Sequence, residues 1–145
     1  MHNMPIDLTK EAPVLNHNIE LVFFDIDGTL LAENGHYSSG LKQQISRLHH
    51  QGIKTAIASG RPSYAAQFLF DELAISDLGV FCTGAEIYHP KTDEHIQCHA
   101  LPLGYVHTLY ERVKSLGLYC EFYTPKYHTT DIECDISRIL SLIHI

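Results

Sequence analysis

Residues 20–31, ELVFFDIDGTLL, run four apolar positions into two aspartates separated by one isoleucine, and a glycine closes the run. Leu21, Val22, Phe23 and Phe24 show no helical spacing and are rich in β-formers, which predicts a short strand buried on both faces, the kind found in parallel sheets. Side chains alternate along an extended backbone, so Asp25 and Asp27 share one face at the carboxyl end of this strand. Gly28 lets the chain turn away. Open α/β sheets bind ligands beyond the carboxyl ends of their strands, so a carboxylate pair here stands where a site would be built. Two carboxylates about 6 Å apart repel by roughly 3 kcal/mol at an effective dielectric of 20, which argues for a cation or a shared proton beside them. Their oxygens suit Mg²⁺, a hard cation often held by only one or two carboxylates plus a substrate phosphate.

Two aspartates at a strand end are also ordinary solvated turn residues. An EF-hand loop is excluded: its glycine belongs at the sixth position, whereas Gly28 is fourth from Asp25 and His36 stands where the closing Glu is needed. A P-loop is excluded as well, since Gly35 and Gly40 have the spacing but Leu41 replaces the required lysine.

Working outward, residues 1–18 carry Pro5 and Pro13 without sustained periodicity and are expected to be a flexible amino-terminal tail. Asn34-Gly35 is a strong turn signal and predicts a small flap over residues 30–37 beside the aspartates. Ser38 or Ser39 is expected to cap an amphipathic helix with Leu41, Ile45 and Leu48 on one stripe and Gly52 as its stop. Residues 54–59, KTAIAS, read as a second strand, parallel to the first through a βαβ crossover. Ser59-Gly60-Arg61-Pro62 follows at its carboxyl end, on the same sheet edge as the aspartates. From Pro62, Tyr64, Phe68, Leu69 and Leu73 mark a second helix, and residues 80–83 a third parallel strand. Residues 86–88 and 95–99 flank Pro90-Lys91-Thr92-Asp93 as a hairpin. A third helix runs from Leu101-Pro102 to about Leu116, with Val106, Leu109, Tyr110 and Val113 on one face. Residues 118–123 read as the last clear strand, and the apolar run 136–145 fits strand or helix.

Composition bounds the function. The 145 residues are 45% hydrophobic, with 10 Lys and Arg against 17 Asp and Glu for a formal charge of −7, and the basic residues are scattered. That excludes a nucleic-acid-binding surface. No apolar run approaches a membrane span and no basic-then-apolar leader opens the chain, so no membrane role and a cytoplasmic location are expected. Cys82, Cys98, Cys120 and Cys134 lack C-x-x-C spacing and read as reduced, mostly packing thiols. His49-His50 falls at a predicted helix end, where imidazolium suits the dipole.

The complete string DIDGTL, residues 25–30, resembles the first motif of the haloacid dehalogenase-like phosphohydrolases. SGRP, one crossover later, resembles their second. On its own the small hydroxyl and glycine of Ser59-Gly60 at a strand end can present O–H and N–H donors to an anion. From residue 19 to about 127 the chain is similar to the Cof-type branch, with VFCTGAEIYHP after the third strand and Leu101-Pro102 before the next helix. Many relatives have asparagine where this chain has Thr83. The resemblance implies an α/β fold: a partial Rossmann-like core over residues 19–101, then the start of an α+β cap over 102–145. It implies an Mg²⁺-dependent phosphatase of small phosphorylated metabolites. Asp25 would be the nucleophile and Asp27 the general acid/base, both serving the metal, with Gly28, Thr29, Ser59 and Gly60 at the phosphoryl group and Arg61 as a substrate contact or a partner of the cap. The family's lysine motif and later Gly-Asp motif have no counterpart in these residues, so the catalytic site is expected to be incomplete. A truncated fragment that binds metal or phosphate weakly, or associates with a partner, is the alternative. In relatives further core strands flank the first strand, and without them LVFF is expected to be an exposed edge.

Overall fold

The computed structural model describes residues 19–130, and the expectations for residues 1–18 and 131–145, Cys134 included, lie outside them. Strand β1 (Leu21–Phe24) pairs in parallel with β2 (Lys54–Ile57), in register from Leu21 opposite Lys54 to Phe24 opposite Ile57. Helix α1 (Leu41–His50) makes the crossover between them. Ala58 then bridges in parallel to Val80 in β3 (Gly79–Phe81), which extends the parallel order by one strand. From β3 the sheet turns antiparallel through β4 (Glu86–His89) and β5 (Glu94–Cys98). The chain is therefore mixed α/β, with the parallel strands at its amino-terminal end.

Helix α2 (Gln67–Leu73) follows a tight turn over Ser63–Ala66 and packs against α1. The core lies between these helices and the sheet: Ile26, Ile45, Ile57, Leu69 and Phe81 are almost wholly inaccessible. Phe81 meets Phe70 edge-on at 5.8 Å between ring centroids, a favoured aromatic geometry. Beyond the hairpin, α3 (Leu103–Ser115) has no buried residue, and Leu109, expected on its inner face, is 48% exposed. Strands β6 (Phe122–Tyr123) and β7 (His128–Thr129) close a small hairpin after it. Among the described residues no helix is long and apolar enough to cross a membrane.

Several expectations are corrected. Strand β1 is not buried on both faces: Leu21 and Phe23 are 40% and 50% exposed, because among the described residues β1 pairs only with β2. In α2 it is Phe70, not Phe68, that enters the core; the tight turn over residues 63–66 shifts the helical phase from the one read at Pro62. Neither Ser38 nor Ser39 caps α1, whose cap is Gly40 with no side-chain hydrogen bond. Residues 118–121 stay outside the sheet, leaving a two-residue strand. His49 and His50 serve local bonds, to the Thr55 hydroxyl and the Ser46 carbonyl, each at 2.7 Å.

Candidate active site

Past β1 the backbone keeps alternating for three residues, with Ile26 fully buried and its neighbours Asp25 and Asp27 exposed. The core grips the isoleucine, which sends both carboxylates outward together. The turn is then locked by its own backbone: the Leu30 N–H donates to the Asp25 carbonyl, the Leu31 N–H to that of Ile26, and the Gly28 N–H to that of Leu31. Gly28 has φ +78°, a conformation that costs other residues a steric clash. Leu30 and Leu31 sit in the core and anchor the flap, whose tip turns at Gly35 with the Ala32 N–H on the His36 carbonyl.

The second motif faces the first across the β1–β2 edge. The Ser59 N–H donates to the Val80 carbonyl at 2.9 Å, and the Ser59 Oγ accepts the Arg61 N–H at 3.2 Å. Arg61 reaches back with two bonds, Nε to Asp27 Oδ2 at 2.8 Å and Nη2 to Oδ1 at 2.6 Å. This bidentate fork is the strong form of an ion pair. The Arg61 hydrogen bond holds the Asp27 carboxyl below the usual aspartate range. With no substrate present, Arg61 is engaged by Asp27. Among the described residues Asp25 makes no side-chain bond.

The amides of Gly28 and Thr29 both donate within the turn, to Leu31 and Ile26. Among the described residues the exposed Asp27 gives no backbone hydrogen bond from its own amide, which leaves that N–H open to an anion. Among the described residues the Asp27 carbonyl accepts none either. A free carboxylate on Asp25 beside an unengaged carbonyl on Asp27 is a hard-oxygen donor set that fits Mg²⁺.

Thr83 stands over the second motif. Its N–H meets the Ser59 carbonyl at 3.4 Å, and its Oγ1 lies 3.6 Å from where a side chain on Gly60 would begin. Cys82 and Thr83 both have left-handed backbones, φ 49° and 55°, strain of the sort that surrounding contacts must enforce. Sequence reading did not single out Glu86, which is 2% exposed and accepts both the N–H and the hydroxyl of Ser63. Its signal was present: Glu86 lies two residues before the core Tyr88, on the inward face of its strand.

The family profile of the haloacid dehalogenase-like hydrolases matches residues 22–136, which include both motifs and the hairpin between core and α3. The chain belongs to the haloacid dehalogenase-like hydrolases. Among curated relatives, the 5-amino-6-(5-phospho-D-ribitylamino)uracil phosphatase YitU of Bacillus subtilis is 29% identical over 100 residues, covering 68% of this chain and 37% of the relative. A putative phosphatase of Streptococcus pyogenes is 30% identical over 82 residues, covering 54% of this chain and 30% of its own length. A solved haloacid dehalogenase-like hydrolase from Bacteroides thetaiotaomicron superposes with a TM-score of 0.77 at 27% identity, over 87% of this chain and 49% of that one. A sugar phosphatase of subclass IIB gives 0.72 at 24% identity, covering 86% and 49%, a likeness of fold alone. The chain thus spans about half or less of the length of these relatives.

Proposed function

We propose that these residues form the phosphoryl-transfer side of a Mg²⁺-dependent phosphatase that acts through an aspartyl-phosphate. The observation that carries this reading is the convergence on one sheet edge of a free Asp25 carboxylate, the forked Asp27–Arg61 pair and the Ser59-Gly60 turn. The substrate class, small phosphorylated metabolites, rests on the relatives' names.

Asp25 attacks phosphorus, its Oδ–P bond forming as the bond from phosphorus to the ester oxygen breaks. The departing oxygen takes a proton from Asp27. Water then attacks the aspartyl-phosphate, giving its proton to Asp27 and freeing Asp25. Paired with Arg61, Asp27 is an ionised base; to serve as acid it leaves the fork and takes up a proton. A phosphoryl group competing for the guanidinium would draw Arg61 away. Ser59, with the amides of Gly60 and Asp27, would receive the phosphoryl oxygens. Asp25 and the Asp27 carbonyl would hold Mg²⁺, which supplies charge neutralisation at the transferring group.

The test is hydrolysis of p-nitrophenyl phosphate with Mg²⁺, using Asp25→Asn as the blank. Turnover above the blank is expected, and its loss on chelating the metal. Equal rates from two folded samples would refute catalysis by this chain and leave the binding fragment as its function.

A further inference from the structure

We propose that Glu86 is a positioning residue for the phosphoryl-binding turn 59–61, fixing the far end of that turn through Ser63 and the near end through the Cys82-Thr83 strap. The inference rests on the phosphatase reading, since it assigns a task within the same site.

Glu86 opens β4 at an inward position, where its strand otherwise puts Tyr88 into the core, and its side chain is only 3% exposed. A carboxylate at such depth is costly unless its oxygens are engaged. They are. Oε1 accepts the Ser63 hydroxyl at 2.7 Å and lies 2.7 Å from His95 Nδ1, while Oε2 accepts the Ser63 N–H at 3.1 Å and faces the Cys82 thiol at 3.8 Å. Burial first, then the Glu86 carboxylate, pushes that thiol up to about 11, so it remains a protonated donor.

The place of Ser63 gives these bonds their consequence. It begins the tight turn after Pro62, and no side chain from its own element caps that turn. Glu86 supplies the missing acceptor from across the sheet. Immediately upstream, the Arg61 carbonyl accepts the Cys82 N–H at 3.0 Å and the Ser59 carbonyl receives that of Thr83 at 3.4 Å. The segment Ser59 to Ser63 is therefore stitched at three points to Cys82, Thr83 and Glu86. Arg61, inside it, holds Asp27. A mere packing role would suit an apolar residue of similar volume at least as well. What the carboxylate adds is direction: Oε1 takes the Ser63 hydroxyl while Oε2 takes its N–H, so both donors are held at once. The same glutamate ties the turn to the connection toward α3: Glu86 is paired with Cys98, and the Ala85 carbonyl accepts the His99 N–H at 2.7 Å.

The experiment is a titration of the ¹⁵N-labelled 145-residue chain with inorganic phosphate in the presence of Mg²⁺, followed at the amides of Ser59 and Gly60. A separate Mg²⁺ titration is followed at Asp25 and Asp27. Glu86→Ala is expected to weaken phosphate about tenfold or more, the scale of a displaced positioning group, and Glu86→Gln, which keeps one acceptor oxygen, about threefold. Mg²⁺ affinity should stay unchanged in both, a split that general destabilisation does not produce. Exposed Glu94→Gln on β5 should match the parent in both titrations. Phosphate affinity within twofold of the parent in folded Glu86→Ala overturns the inference; if that variant does not fold, the same result in Glu86→Gln overturns it. A parent chain that binds no phosphate sinks the phosphatase reading itself, and this one with it.

Discussion

At the scale of single residues, the Asp27–Arg61 fork decides the charge state of the site. Its consequence for stability has a definite sign. A carboxyl held below its unfolded value contributes stability that is present above about pH 4, the unfolded range, and is lost as pH falls through its folded value. Because the Asp27 side chain is 60% exposed, solvent screening limits this contribution to about 1 kcal/mol at most. Arg61→Met should therefore lower stability to urea at pH 7 by no more than that amount, and the pH-dependent part of the difference should vanish once pH falls below the folded value of Asp27. Side-chain ¹³C titration should show the Asp27 carboxyl moving up to the ordinary aspartate range in the variant. An unchanged titration would mean that the fork does not persist in solution. The carboxylates were legible from their spacing alone, whereas the fork was not: Arg61 lies 34 residues from Asp27, and its side chain could have turned either toward the pair or away from it.

At the scale of elements, β3 shows how tightly sequence and packing are joined. Gly79 is buried, and a Cβ there would collide with Phe81 Cε2 and lie 2.7 Å from its Cζ, with the Ile57 carbonyl oxygen at 3.2 Å. The ring cannot yield easily, since Phe81 is fully buried against Phe70 and Tyr88. Gly79→Ala should cost about 1–3 kcal/mol as an overpacked core and lower the melting temperature by about 4–12 °C, with the ring's methyl-facing neighbours shifted in NMR spectra. A melting temperature equal to the parent's would show that the ring moves freely. The elements that sequence made legible, β1, α1, β2, the β4–β5 hairpin and α3, each have a clear period or a Gly, Pro or Asn stop. Those that escaped it have tertiary causes. The strand read over residues 80–83 breaks after Phe81, because Cys82 and Thr83 adopt left-handed backbones that bring them against Ser59 and Arg61. Likewise the short turn before α2 exchanged Phe68 for Phe70 in the core, a change of phase that an apolar pattern containing both phenylalanines cannot reveal.

At the scale of the whole molecule, the sheet begins at an open edge that lies beside the chemistry. Strand β1 pairs with β2 on one side only among the described residues, and Leu21 and Phe23 present 40% and 50% of their surface. An exposed apolar edge offers unpaired N–H and C=O groups to any second strand, and β1 carries neither a charge nor a proline to discourage it. The same strand positions Asp25, so association along this edge would crowd the nucleophile. The 145-residue chain should therefore show an apparent mass that rises with concentration in light scattering. Phe23→Lys, at a side chain already half exposed, should suppress that rise while leaving the fold intact, because the substitution removes no core contact and places a solvated charge on the edge. Circular dichroism should be unchanged within error. If the parent is monodisperse across the concentration range, or Phe23→Lys associates as the parent does, the edge is not the surface through which copies of this chain meet.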